Sequence, residues 1–177
     1  MRSRFLALLS SVALLAGCAT STVRNPVTGL KERTVMNEAS ELATGKKAHQ
    51  QVLSEYGIYP DAKLQAYVNE LGQRLASQSE RSQLEWHFTV LDSPEINAFA
   101  LPGGYVYVTR GIMAYMESEA DLAGVIGHEI GHVTARHGSQ RATRQQTAGV
   151  GVAAVTLLGA VLEGAGYGGV GQLASQV

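Results

Sequence analysis

The chain has 177 residues, 45% of them hydrophobic and 16% charged, and its 14 basic and 15 acidic side chains leave a net charge of −1. With no basic patch or charge run, the sequence lacks the electrostatic footprint of a nucleic-acid-binding protein. The single cysteine, Cys18, excludes an intramolecular disulfide, so the fold must be stabilised by its core.

The start of the chain has the pattern of an export signal. Arg2 and Arg4 precede an apolar run, Phe5–Ala16, which is too short to span a bilayer as a stable helix. The run leads into Leu-Ala-Gly-Cys, ending at Cys18, which resembles the cleavage site of bacterial lipoproteins. We predict a signal peptide at residues 1–17 and acylation of Cys18, which would hold the protein to a membrane surface. An ordinary cleaved signal with a chance cysteine is the alternative.

Two helices are predicted after a polar tether. Residues 18–37 carry turn signals at Asn25-Pro26 and Thr28-Gly29 and are expected to form the tether. The first helix is predicted at Glu38–Tyr56 and stopped by Gly57, with an expected buried stripe of Leu42, Ala43, Lys46, Val52 and Leu53. The second is predicted at Asp61–Gln78, from apolar residues spaced three and four apart: Leu64, Tyr67, Val68, Leu71 and Leu75.

The periodicity then changes from helical to extended. Trp86–Leu91 is aromatic and β-branched and predicts a strand, whereas Ile96–Pro102 is predicted to be a loop. Tyr105–Thr109 alternates and predicts a second strand, which we expect to pair with the first through this connection.

A third long helix is predicted to begin at Ser118, which forms a near capping box with Asp121. It is expected to run to about His137 and to end at Gly138, with an apolar face of Leu122, Val125, Ile126 and Val133. The small, apolar segment Ala148–Leu162 predicts a buried or interfacial helix, because it is too short for a membrane span.

The third helix contains the sequence His-Glu-Ile-Gly-His at residues 128–132. Residues four apart lie on one helix face, so His128 and His132 can bind one zinc ion. Glu129 can act as the general base toward the water in the open coordination position. Small residues at Gly127 and Gly131 are expected where neighbouring groups approach closely. The alternative is a surface helix that carries two histidines by chance.

The remaining histidines are not expected to be ligands. His137 follows His132 by five residues, which does not fit the third ligand of a metzincin, and is expected to be a helix C-terminal residue. His49 and His87 are expected to be a surface helix residue and a strand residue.

A catalytic zinc site takes three protein ligands, and two are visible. Glu163 is the only acidic residue after His132. It ends a small-residue segment beside a glycine, a poor place for a rigid ligand. We therefore expect the third ligand to lie beyond Val177.

Several stretches together resemble metallopeptidase family forty-eight, whose members include the CAAX prenyl endopeptidases and the membrane protease HtpX. The resemblance rests on Ser118–Arg144 and on NAFALPGGYVYVTRG at Asn97–Gly111. RNPVTG at Arg24–Gly29 and GKKAHQQVLSEYG at residues 45–57 are similar to the periplasmic lipoprotein members. These stretches cover most of the chain after the signal peptide.

The resemblance implies a zinc endopeptidase of the gluzincin type, with a glutamate on a later helix, in an ExxxD pattern, as third ligand. Here Glu163 is followed four residues later by Tyr167, which departs from that pattern. We therefore expect the 177-residue chain by itself to be inactive. The resemblance also implies that the strand at Tyr105–Thr109 forms the edge of the cleft, where Tyr105, Val106 and Tyr107 would bind an extended substrate. A purely structural strand is the alternative.

Together, these features predict an α+β, zincin-like metallopeptidase domain at residues 38–177, mostly helical with a small sheet and incomplete at its C-terminus. The expected reaction is hydrolysis of peptide bonds in unfolded or misassembled envelope proteins, with one zinc ion per chain. Lipid attachment at Cys18, followed by Ala19, predicts the outer membrane facing the periplasm, and the outer-membrane assembly machinery is a further expected partner. The rival is a non-catalytic, membrane-anchored module that binds polypeptides without cutting them.

Overall fold

The computed structural model describes residues 20–148. The signal peptide, Cys18, the apolar segment that follows Ala148 and Glu163 lie outside the described residues. The chain divides into two units, Met1–Gln140 and Arg141–Val177, and the five strands and four helices labelled below belong to the first.

The first element of the described residues is a β-hairpin, where we expected a tether. Strands β1 (Ser21–Arg24) and β2 (Lys31–Thr34) pair antiparallel. Asn25 forms the turn, since its Oδ1 accepts hydrogen bonds from the backbone N–H of Val27 at 3.0 Å and of Thr28 at 3.2 Å. The polar composition misled the prediction because a two-stranded ribbon needs no apolar face of its own.

Helix α1 (Glu38–Tyr56) has the predicted bounds: the Asn37 side chain accepts from the N–H of Ser40 at its start, and Gly57 ends it at φ 70°. The predicted buried stripe is wrong in part, because Leu42, Ala43 and Lys46 are exposed. The buried positions are Glu41, Gly45 and Val52. A Cβ on Gly45 would lie 1.8 Å from the carbonyl oxygen of Pro102, so the helix approaches its neighbour through a glycine.

Helix α2 (Ala62–Ala76) is capped by Asp61, whose carboxylate accepts the N–H groups of Lys63 and Leu64. The predicted apolar residues face the core except for Tyr67, which is exposed. Gly72 allows close packing, since a Cβ there would lie 2.3 Å from the ring of Phe88.

The sheet contains β3 (His87–Leu91), β4 (Ala98–Leu101) and β5 (Tyr105–Thr109), in the order β3-β5-β4. The predicted pairing of the first and last strands is confirmed, and it is parallel. The predicted loop at Ile96–Pro102 is wrong, because β4 lies within it and pairs antiparallel with β5. Gly103 and Gly104, at φ 85° and 99°, make the tight turn that joins the two strands.

This order makes β5 the central strand, so the expectation of a cleft-edge strand at Tyr105–Thr109 is wrong. The backbone of Tyr105, Val106 and Tyr107 is paired with β3 on one side and β4 on the other. No extended peptide can add to these residues. Among the described strands, β3 and β4 form the two edges of the sheet instead.

A short helix α3 (Arg110–Met113) leads to α4 (Glu119–Thr134), where the predicted capping box of Ser118 and Asp121 is confirmed. The predicted end at Gly138 is wrong. Helix α4 ends at Thr134, and Arg136 adopts the left-handed conformation with φ 59°. The backbone is helical again over residues 137–148, so no glycine ends the helix.

The two faces of the sheet pack against different helices. Helices α2 and α4 cover one face, where Val68, Leu71, Phe88, Val90, Val106, Val108, Ile126 and Ile130 form the larger core cluster. Helix α1 packs on the other face, where its Val52 forms a smaller cluster with Leu91 of β3 and Tyr107 of β5. The alternation of Val106, Tyr107 and Val108 on β5 separates the two clusters. Within residues 20–148, no helix has the length and apolarity needed to cross a membrane.

Candidate metal centre

Helix α4 carries the His-Glu-x-x-His sequence at the boundary between the core and solvent. Ile126 and Ile130 bury one side of the helix in the larger core cluster. On the adjoining side, His128 is exposed, His132 is half-buried and Glu129 is 7% exposed. The four-residue spacing places both imidazoles on one face, as the sequence predicts.

The donor atoms of this face converge. The ligand atoms of His128, Glu129 and His132 all lie within 4.8 Å of one another. The imidazole rings of His128 and His132 have centroids 4.5 Å apart and meet edge to face at 75°. Two imidazoles and a neighbouring carboxylate suit a borderline-soft divalent cation such as zinc. The described residues therefore fit the metal that the sequence predicts.

A cleft of about 350 Å³ opens beside these residues. Its walls come from the start of β4, from α3 and from the exposed side of α4: Ile96, Asn97, Ala98, Ile112, Gly124, Val125, His128 and Glu129. Edge strand β4 thus borders the same cleft as the donor group. The predicted loop at Ile96–Pro102 gives no indication of this edge. The signal that could have found it is the apolar run of four residues before Pro-Gly-Gly.

Thr109 stabilises the segment before β4, which forms one wall of this cleft. Its side chain is buried at the end of β5, and Oγ1 lies 2.5 Å from the carbonyl oxygen of Glu95 and 2.8 Å from that of Asn97. The same oxygen accepts the N–H of Asn97 at 3.2 Å. One buried hydroxyl therefore fixes the segment that enters β4 next to His128.

His137 lies beside the donor group, where we expected a residue at a helix C-terminus. Its Nδ1 is 2.6 Å from Nδ1 of His132, and the ring centroids are 4.9 Å apart. The expectation was wrong because it assumed an unbroken helix to Gly138. The break at Arg136 redirects the chain and brings His137 back toward α4.

The other two histidines lie on the far face of the sheet. The rings of His49 and His87 each stack on Tyr105 at 4.7 Å between centroids. Nδ1 of His49 also lies 2.6 Å from the hydroxyl oxygen of Tyr107. Burial, and then the nearby His87, lowers the pKa of His49, while burial raises the pKa of the Tyr107 hydroxyl well above its usual range.

The expected close approach at Gly127 and Gly131 is not found. A Cβ built on either glycine meets no atom of residues 20–148 within 4 Å. Small residues here leave the surface around His128 uncovered by the described part of the chain.

A buried ion cluster adjoins the end of α4, and nothing in the sequence indicated it. Glu41 is 1% exposed, and its two carboxylate oxygens each lie 2.7 Å from a guanidinium nitrogen, of Arg81 and of Arg136. Arg81 also donates to the carbonyl oxygen of Val133 at 3.2 Å. A cavity of about 30 Å³ touches both Glu41 and His132.

A helix that presents two histidines and a glutamate to a cleft bordered by an edge strand is the arrangement of a metal-dependent peptidase. Residues 62–176 match the family described as Peptidase family M48, and the chain belongs to this family. The predicted resemblance is thereby confirmed.

Curated relatives are bacterial and mitochondrial proteases. The chain is 33% identical, over 137 residues, to the Beta-barrel assembly-enhancing protease of Escherichia coli (strain K12), an alignment that covers 77% of this chain and 28% of that protein. It is 37% identical over 106 residues to the Mitochondrial metalloendopeptidase OMA1 of Schizosaccharomyces pombe, covering 57% and 31%. The chain therefore spans roughly a quarter to a third of the length of these relatives.

Proposed function

We propose that this protein is a zinc-dependent endopeptidase of the cell envelope. The observation that carries the proposal is the convergence of His128, Glu129 and His132 within 4.8 Å on one helix face beside an open cleft, in a chain of Peptidase family M48. The names of the relatives, protease and metalloendopeptidase, support the same reaction class.

In this proposal His128 and His132 are metal ligands. Zinc bound between them would polarise a peptide carbonyl and lower the pKa of a water molecule in the open position. Glu129 is 7% exposed and lines the cleft, so its carboxylate can accept a hydrogen bond from a water molecule there. As general base, Glu129 would take a proton from the attacking water and pass it to the amine that leaves.

The third protein ligand is proposed to come from outside residues 20–148. The donor group found in the described residues comprises His128, Glu129 and His132, and Glu129 is needed as the base. A third carboxylate ligand would complete the catalytic set and offset part of the charge of the dication. Glu163 fits the family's ExxxD pattern poorly, because Tyr167 lies where the aspartate would be.

Substrate is proposed to bind as an extended strand along β4. Within residues 20–148, no strand pairs with the outer side of β4, so its backbone groups there can form main-chain hydrogen bonds, and Asn97 and Ala98 border the cleft with His128. This mode requires an unfolded segment in the substrate. It therefore suits unfolded or misassembled envelope proteins as substrates, and the name of the E. coli relative links that protein to β-barrel assembly.

The proposed location is the periplasmic face of the outer membrane. The export signal and the lipoprotein-like site at Cys18 support lipid attachment, and Ala19 follows the cysteine in place of an aspartate that would mark inner-membrane retention. Proximity to the outer-membrane assembly machinery follows from this location and makes that machinery a proposed partner.

The test is hydrolysis of casein, an unfolded substrate, by the full-length protein with matched variants. Wild type and Glu117→Gln, which changes an exposed glutamate just before α4, should cleave equally, while Glu129→Gln should lose at least about a hundredfold in rate. A wild-type protein that binds casein without cleaving it would instead support the polypeptide-binding alternative. Full activity of Glu129→Gln would refute the assignment of the base.

A further inference from the structure

The contact between His132 and His137 uses a ring nitrogen on each side. Only one of two neutral imidazoles can supply the proton of such a hydrogen bond. If His132 donates from Nδ1, its Nε2 retains a lone pair directed away from His137 and available to a metal. Metal-binding histidines commonly have their second ring nitrogen held in this way, which fixes both tautomer and ring orientation.

His137 reaches this position only because the helix breaks. On a continuous α-helix, residues five apart are rotated by about 140° and point to different sides. The structure instead places the two Nδ1 atoms 2.6 Å apart, after a left-handed residue at Arg136 with φ 59°. For a residue other than glycine, this backbone conformation is unfavourable and persists only where its surroundings impose it.

The N-terminal part of the chain holds the turn in place. The buried carboxylate of Glu41 lies 2.7 Å from Nη2 of Arg136, which also donates to the carbonyl oxygen of Met36 at 3.3 Å. Asn25, 2% exposed, donates from Nδ2 to the carbonyl oxygen of Ala135 at 3.2 Å. Asn25 in the RNPVTG turn and Glu41 in α1 thus stabilise the positions of Ala135 and Arg136, the two residues that precede His137.

We propose that His137 is a positioning residue for the metal ligand His132: it accepts a hydrogen bond from His132 Nδ1–H and keeps Nε2 turned toward the metal. This inference rests on the proposed function, because it requires His132 to be a ligand. His137 does not belong to the convergent donor group of His128, Glu129 and His132, so it acts through His132 and not on the metal.

The test is to measure zinc affinity of the full-length protein by competition with a chelator, together with the absorption spectrum of the cobalt-substituted protein. His137→Ala should weaken zinc binding by about 10–100-fold while one ion still binds at saturation. His137→Asn should restore most of the affinity, since the amide oxygen of asparagine occupies the position of Nδ1. His87→Ala, which removes a histidine from the far face of the sheet, should bind as wild type does.

The outcomes separate this inference from the proposed function. A wild-type protein that binds no zinc would refute the proposed function itself. With zinc bound by wild type, equal affinity in His137→Ala would refute the positioning role. Failure of His137→Asn to recover affinity, with a cobalt spectrum showing one ligand fewer, would make His137 a direct ligand and overturn the inference. At saturating zinc, His137→Ala should lower kcat for casein more than it changes KM.

Discussion

Glu41→Gln should destabilise the protein more than any surface substitution of the same kind. Glu41 is 1% exposed and lies 2.7 Å from both Arg81 and Arg136, whose side chains are 3% and 8% exposed. The substitution removes the charge that faces Arg136, and it leaves Arg81 with the more distant and 59% exposed carboxylate of Glu38, at 3.5 Å. Removing one partner of a buried pair costs about 3–5 kcal/mol, against about 1 kcal/mol or less for an exposed pair.

The assay is urea unfolding of the folded protein, monitored by circular dichroism, with Glu70→Gln as the matched control. Glu70 pairs with Arg74 at 3.4 Å, but the two side chains are 74% and 55% exposed. For a domain of this size, about 3–5 kcal/mol corresponds to a fall in Tm of about 6–20 °C. If Glu41→Gln and Glu70→Gln unfold within about 1 kcal/mol of each other, the reasoning about burial is wrong.

Three further predictions follow from the core, from a half-buried histidine and from the anchor. Gly72→Ala should lower the free energy of unfolding by about 1–3 kcal/mol, because its Cβ would overlap the ring of Phe88. The pKa of His49 is lowered below 6.5, so the unfolded state binds the proton more tightly and the free energy of unfolding should fall as pH drops below that value. In His49→Gln, the free energy of unfolding should depend less on pH when it is measured from pH 7 to pH 5. Cys18→Ser should abolish labelling with palmitate and either move the protein out of the membrane fraction or leave its precursor uncleaved.

Each of these predictions has its own control. Gly124→Ala, in α4 beside the cleft, should be neutral or stabilise by up to about 1 kcal/mol, since alanine favours the helix and its Cβ meets no atom of residues 20–148 within 4 Å. A steep acid dependence that persists in His49→Gln would assign it to other groups. Unlabelled wild-type protein would reject lipidation at Cys18.

The local signals of the sequence were sufficient for most helices and for the donor group. Asn37, Asp61 and Ser118 accept backbone N–H groups at the helix starts, and such caps depend only on residues a few positions apart. The spacing of His128 and His132 likewise fixes their common face through helix geometry alone. These features are local, so the residues themselves predict them.

The features that were missed depend on contacts between distant segments. Glu41 looks like a surface glutamate until Arg81 and Arg136, 40 and more residues away, are brought to it. The left-handed conformation of Arg136 has no local cause, because it is imposed by Glu41 and Met36. The strand β4 is four residues long and lacks polar alternation, so its identity depends on the pairing with β5.

The most direct test of the central claim is the zinc content of the full-length protein and three variants after dialysis against metal-free buffer. Wild type, Glu129→Gln and the control His87→Ala should each retain one zinc ion per chain, while His132→Ala should retain little or none. Zinc retained in His132→Ala, or lost from Glu129→Gln, would contradict the assignment of His128 and His132 as ligands and of Glu129 as the base.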